Sequence, residues 1–225
     1  MTVLHLVDET EAADLAAFLS RLLHYDRGAA VRLQAAGTAL AVFGRPPSFE
    51  VLAVRAVRLA KPYEDGLDVT LDVTVSAGEL LESMDERAAT AAVPAAVTGP
   101  PWAGVLPPRG GWTPEPGLPA PDALRATVAA AVSEFRSRTE ELAPDGRTRA
   151  ELDRIGRDIW SREIGRTGLP VRAVHAAQSL GFLRPGTAAA DTGLFSSGAW
   201  LRLRTPYGSV VVRRAGLGPL GISVR

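Results

Sequence analysis

The chain has 225 residues, 46% of them hydrophobic, and it balances 25 Lys+Arg against 25 Asp+Glu. That is too apolar for a disordered chain and too evenly charged for a protein that coats nucleic acid. With no cysteine, a disulfide framework, a thiolate metal or iron–sulfur site and a thiol nucleophile are all excluded.

The start, Met1-Thr2-Val3-Leu4-His5-Leu6-Val7-Asp8-Glu9, has no basic segment before its short apolar run. No stretch reaches the roughly 18 apolar residues of a spanning helix, so a cytoplasmic protein with no membrane partner is expected. Thr2 to Val7 reads as a strand. Asp8 followed by Glu11 forms a capping-box pattern that predicts a helix start. Leu15, Phe18, Leu19, Leu22 and Leu23 then place one apolar stripe against a sheet. Ala30 to Ala35, Thr38 to Phe43 and Phe49 to Leu59 are punctuated by Gly37 and by Gly44-Arg45-Pro46-Pro47-Ser48, which predicts an antiparallel meander. Leu67 to Val75 alternates apolar and polar residues without a break, the pattern of a strand with one buried and one wet face. Asp68 and Asp72 belong to its wet face. Ser76 and Glu79 offer a second capping box before a short helix at Leu80, Leu81 and Met84.

The resulting order, β-α-β-β-β-β-α, resembles the repeat unit of DNA sliding clamps and also profilin-like and roadblock-like interaction folds. It carries no residue motif of any of them, so no function transfers.

Residues 94–121 contain nine Pro and five Gly, with Trp102 and Trp112 among them. A solvated spacer seldom carries large aromatic rings. This segment therefore reads as a strap in extended geometry that docks Trp102 and Trp112 onto a domain.

From Pro121 the helical period returns, with Leu124, Val128, Ala131, Val132 and Phe135 on one stripe. Thr148 and Glu151 form a third capping box, ahead of Leu152, Ile155, Ile159 and Trp160. Gly168-Leu169-Pro170 opens a shorter helix that Gly181 stops. Trp200 to Arg204 and Ser209 to Arg213, joined by Thr205-Pro206-Tyr207-Gly208, read as a hairpin. Three helices and a hairpin resemble a winged-helix module over roughly residues 122–214, although the connection from Phe182 to Gly198 is long for that layout. The expected fold class is α+β. It consists of an antiparallel-sheet domain with two helices at 1–92, a strap at 93–121, and a helical, winged-helix-like domain with a terminal hairpin at 122–225.

Motifs for catalysis are missing. Gly216-Leu217-Gly218-Pro219-Leu220-Gly221 matches the dinucleotide fingerprint in letters, but Pro219 and the lack of a following helix remove its physical basis, so no cofactor is expected. His5, His24 and His175 have no metal-ligand spacing, and there is no strained Ser elbow of the G-x-S-x-G kind. The global signal is charge asymmetry. Residues 1–120 hold 9 basic and 15 acidic side chains, whereas 121–225 hold 16 and 10. Lys61 is the single lysine; with the Ala, Gly and Pro load, this reads as a GC-rich coding sequence and discounts arginine abundance as a sign of phosphate binding.

The candidate binding residues are Arg172, His175 and Ser179, a polar stripe on the third helix, and Arg202, Arg204, Arg213 and Arg214 on the hairpin, facing nucleic acid or an acidic partner. Three function classes follow. The first is a non-catalytic two-module binding or regulatory protein acting through contacts with a protein partner. The second is a nucleic-acid-binding protein that uses phosphate contacts from its basic C-terminal module. The third is an enzyme with an interdomain pocket.

Overall fold

Side-chain caps set where three of the helices begin. Asp8 accepts the Glu11 amide at 2.8 Å, Ser76 accepts that of Glu79 at 3.3 Å, and Thr148 accepts that of Glu151 at 3.3 Å, each satisfying one orphan donor of a first turn. The computed structural model describes residues 2–60 and 71–214. Its first half contains β1 (Val3–His5), α1 (Glu9–Tyr25), β2 (Ala30–Ala36), β3 (Ala39–Gly44), β4 (Leu52–Arg58), β5 (Asp72–Ser76), α2 (Ala77–Glu82), β6 (Met84–Asp85) and β7 (Thr90–Ala92). The second contains β8 (Thr113–Glu115), α3 (Pro121–Glu140), α4 (Arg149–Trp160), α5 (Val171–Ser179), β9 (Gly193–Ser197), β10 (Trp200–Thr205) and β11 (Gly208–Arg213). Residues 67–70 of the expected alternating strand, Asp68 among them, lie outside the described residues; the described part pairs with β2, Val73 opposite Leu33 and Val75 opposite Val31.

The protein is α+β, and its two halves are not separate modules. One antiparallel sheet of eight strands runs in the order β5-β2-β3-β4-β11-β10-β9-β8, so the C-terminal hairpin continues the N-terminal meander. The junction is β4 with β11, where Ser209, Val210 and Val211 stand opposite Val54, Ala53 and Leu52. The expectation of two separate units joined by a strap is corrected here. A solvated wing would alternate buried and wet residues, whereas Ser209, Val210, Val211 and Val212 are all buried. Such a run belongs to a strand covered on both faces.

One face of the sheet carries the main core. Val31, Leu33, Leu40, Val42, Ala53, Val57, Leu201, Leu203, Val210 and Val212 are buried there with Leu15, Phe18, Leu19 and Leu22 of α1. The winged-helix likeness fails at α5, whose Val171, Ala173, Val174, Ala176 and Ala177 are buried. A recognition helix must present a free outer side to a groove, whereas this one packs on β11, α3 and α4 and has Phe49 and Glu50 of the β3–β4 connection against its outer residues His175 and Arg172. The long connection before the hairpin also contains β9, a further sheet strand. Beyond α5, Phe182 stacks near Phe18 at 5.4 Å between ring centroids. Its ring lies so close to Gly208 that a Cβ there would come within 2.6 Å of it; only glycine lets the hairpin turn seat on that ring. A small sheet, β1-β7-β6, closes the N-terminal end. Among the described residues, no helix is long and apolar enough to cross a membrane.

Candidate functional site

The strap covers the other face of the sheet. Residues directly opposite each other in an antiparallel register share a face, so this face presents Arg32 and Gln34 of β2, Ala39, Ala41 and Phe43 of β3, and Leu52, Val54 and Ala56 of β4. It continues through Ser209, Val211 and Arg213 of β11, Trp200, Arg202 and Arg204 of β10, and Phe195 of β9. The strap begins at one edge, where Ala96 bridges Val75 and the Val97 amide donates to the Thr74 carbonyl at 2.9 Å. It ends at the opposite edge as β8, paired with β9. Between these anchors Arg32 donates to the Ala103 carbonyl while pairing with Asp72 at 2.7 Å. Hydrogen bonding to Arg32 holds the Asp72 carboxyl below its usual range.

Trp102, Leu106 and Trp112 of the strap pack on the apolar ridge of Phe43, Leu52, Val54 and Val211. Both tryptophans are half-buried. The Trp112 indole N–H donates to the Pro108 carbonyl at 3.0 Å, which fixes the bend of the strap over the sheet. A chain that crosses strands cannot join their hydrogen-bond ladder. Proline, which lacks an amide donor and holds extended geometry, suits that path.

Two hollows flank the ridge. The first, of about 430 Å³, is lined by Arg45, Glu50, Trp102, Arg172, Trp200 and Arg213. The Arg213 guanidinium lies 4.9 Å from the centre of the Trp200 ring. Arg172 Nε stands 3.8 Å from Glu50 and, though buried, has no hydrogen-bond partner among the described residues. Three arginines and a single carboxylate therefore line this hollow beside two indoles. The second hollow, of about 240 Å³, lies beneath Pro107, Pro108, Arg109 and Trp112 and reaches Gln34 and Arg202 at its sides. Arg202 donates through Nε to Ser209 Oγ at 3.0 Å and lies 5.7 Å from the Trp112 ring centre. Burial, then the nearby charge of Arg204, pushes the Arg202 guanidinium below its ordinary pKa.

The residues singled out from the sequence thus separate. Arg172, Arg213 and Trp102 line the first hollow, and Arg202 and Trp112 the second. Arg204 is exposed, 4.7 Å from the Phe195 ring centre. Arg214 pairs with Glu115 of β8, and Ser196 and Arg214 hold that carboxyl below its usual range.

His175 and Ser179 are not part of this face. They line a groove with Val128, Ser133 and Arg136 of α3, so the expected polar stripe with Arg172 is broken. The His175 ring stacks on Trp160 at 4.8 Å and meets Phe49 edge-on at 5.1 Å. Burial lowers its pKa. Phe49 and Glu50 are neighbours on the β3–β4 connection, and they divide the stripe by covering His175 with a ring and facing Arg172 with a carboxylate.

Arg45, Arg109, Gln34 and Trp200 were not singled out from the sequence. Arg45 sits between Gly44 and Pro46-Pro47, a run that reads only as a turn, although the same prolines fix the backbone that carries it. Gly216 to Gly221 lies outside the described residues. Among those described, no group of three His, Asp or Glu side chains is placed to hold a metal ion.

Comparison with known families divides the chain inside the strap. Residues 1–104 match the family model described as a domain of unknown function (DUF8010). Residues 107–217 match a second, also described as a domain of unknown function (DUF8185). A search of curated proteins finds no match to the chain.

Proposed function

We propose that the protein is a non-catalytic binding protein that acts through protein contacts, taking an acidic segment of a partner on the strap side of its sheet. The observation that carries this reading is the first hollow, which Arg45, Arg172 and Arg213 line with a single carboxylate, Glu50, beside Trp102 and Trp200. A guanidinium held against a ring, as Arg213 is on Trp200, keeps its paired donors in place for a carboxylate. The indoles supply apolar area next to them.

A protein segment suits this face better than a duplex. The strap stands over the sheet and interrupts any long groove, and Phe49 and Glu50 lie across the outer side of α5 that a recognition helix would need free, against His175 and Arg172. The formal net charge of zero also provides no long-range attraction for a polyanion.

The test is fluorescence anisotropy with a labelled peptide rich in Asp, Glu and aromatic residues, alongside single- and double-stranded DNA. Wild type is compared with an Arg45→Ala, Arg172→Ala, Arg213→Ala variant. Peptide binding that weakens about tenfold or more in the variant, the size of one lost charged contact, supports the reading. Binding of DNA in preference to peptide, lost in the same variant, replaces the partner with nucleic acid held through its phosphates. A variant that folds and binds the peptide as wild type does overturns the site.

A further inference from the structure

We propose that the second hollow, between the sheet and the Pro107–Trp112 bend of the strap, is a separate small-molecule site for a monocarboxylic acid with one apolar ring. Its volume, about 240 Å³, sets the size. A dry cavity of about 150 Å³ accommodates benzene, so this one has room for a single ring with a short carboxylate arm.

The chemistry of its walls sets the class. The floor is Ala36, Ala39, Ala41 and Ala56, with Phe43 and Val54 behind. Sheet positions facing another layer usually carry branched or aromatic side chains, and here four methyl groups leave the space beneath the strap unfilled. The roof is two prolines and the Trp112 ring, whose position is fixed by its hydrogen bond to Pro108.

The charge at the side is positive and unmatched. Arg202 has no carboxylate partner among the described residues, and its Nε is committed to Ser209. Its two Nη nitrogens make no hydrogen bond with those residues, the arrangement that a carboxylate completes with two parallel bonds. Arg109 adds a second cation. Asp72, the acidic group on which Arg109 acts, is already engaged by Arg32 and Gln34. A neutral apolar ligand would fill the floor and leave Arg202 partly dehydrated without compensation.

This site is independent of the acidic-segment hollow, with which it shares Val211 alone. The experiment is isothermal titration of the intact chain with phenylacetate and with 2-phenylethanol as its neutral counterpart. It is repeated on Ala41→Leu, Ala56→Leu, Arg202→Gln and the Arg45/Arg172/Arg213 alanine variant. Saturable binding of the acid is expected, with the alcohol about tenfold weaker or worse. Either leucine variant should abolish binding while unfolding at the wild-type temperature or above, since leucine occupies the hollow and favours the strand no less than alanine does. Arg202→Gln should lower affinity for the acid and leave the alcohol unchanged.

Trp112 reports directly: its fluorescence should change on titration, and the change should vanish in Trp112→Phe. The triple alanine variant should bind the acid normally, which separates this site from the first. Equal affinity for acid and alcohol, unchanged binding in a folded leucine variant, loss in the triple variant, or no saturable binding at millimolar acid would each overturn the proposal.

Discussion

Val211 stands directly opposite Leu52 in the sheet register, and both side chains lie in the apolar ridge beneath Trp102, Leu106 and Trp112. One residue belongs to each of the two family-model segments, and the strap that joins the segments covers the pair. Arg184 adds a second tie at the other face, donating to Asp14 of α1 at 2.7 Å with its guanidinium 3.9 Å from the Tyr207 ring centre.

The chain should therefore unfold as one cooperative unit. Calorimetry is expected to give a single transition whose calorimetric and van't Hoff enthalpies agree. Val211→Ala, which removes buried methyl groups from the junction, should lower stability by about 2 kcal/mol and shift far-UV and tryptophan signals together. Two resolved transitions, only one of them moved by Val211→Ala, would show independent halves.

Arg55 is 5% exposed and joins three elements. It donates to the Tyr207 carbonyl at 2.7 Å and lies 3.4 Å from Glu11 and 3.5 Å from Asp14. Arg55→Met keeps the volume but removes the cation that Glu11 and Asp14 share, leaving them the Arg58 amide and Arg184 as partners, so a loss of about 3 kcal/mol is expected. Adding Glu11→Gln should recover part of it. Urea denaturation measures both, and a loss below about 1 kcal/mol for Arg55→Met would mean that water replaces the guanidinium.

His175 gives stability an acid-side slope. Burial lowers its folded-state pKa below the ordinary 6.5, so at pH near and below 6.5 the unfolded chain binds more protons than the folded one. Stability from this group is full above that value and is lost as pH falls through the window between the unfolded and folded pKa. His175→Phe, which can keep the ring contacts with Trp160 and Phe49, should flatten the melting temperature between pH 6.5 and 5.5 relative to wild type. Identical slopes would assign the acid sensitivity to other groups.

Trp102→Ala and Trp112→Ala should each remove about 2 kcal/mol, less than a fully buried tryptophan because both rings are half-buried. Limited proteolysis should spare residues 100–113 in wild type and cut there in the double variant. Equal cutting in both proteins would show that the rings do not hold the strap down.

Local features of the fold were legible in the sequence because their causes are local. Asp8, Ser76 and Thr148 mark helix starts through bonds that span three residues, and the Pro206-Tyr207 turn follows from its own residues. The two tryptophans inside a proline-rich run already implied a docked strap. Even there the sequence left one half of a capping box misread, since the Glu11 side chain accepts from the Arg58 amide at 2.8 Å, across the chain on β4, instead of closing its own helix start.

Strand partnership was decided only in three dimensions. Alternation and turn chemistry say that a segment is extended and which face is apolar, but β4 and β11 carry no local mark naming each other; their pairing depends on which buried edges the packed helices leave available. The same holds for the candidate sites. Arg172 and Arg213 were visible as charges, but their meeting with Arg45 and Glu50 and the diversion of His175 into an aromatic cluster follow from where distant segments cross. The hollow over four alanines is a property of two layers, since the strap turns small side chains into a space by spanning them.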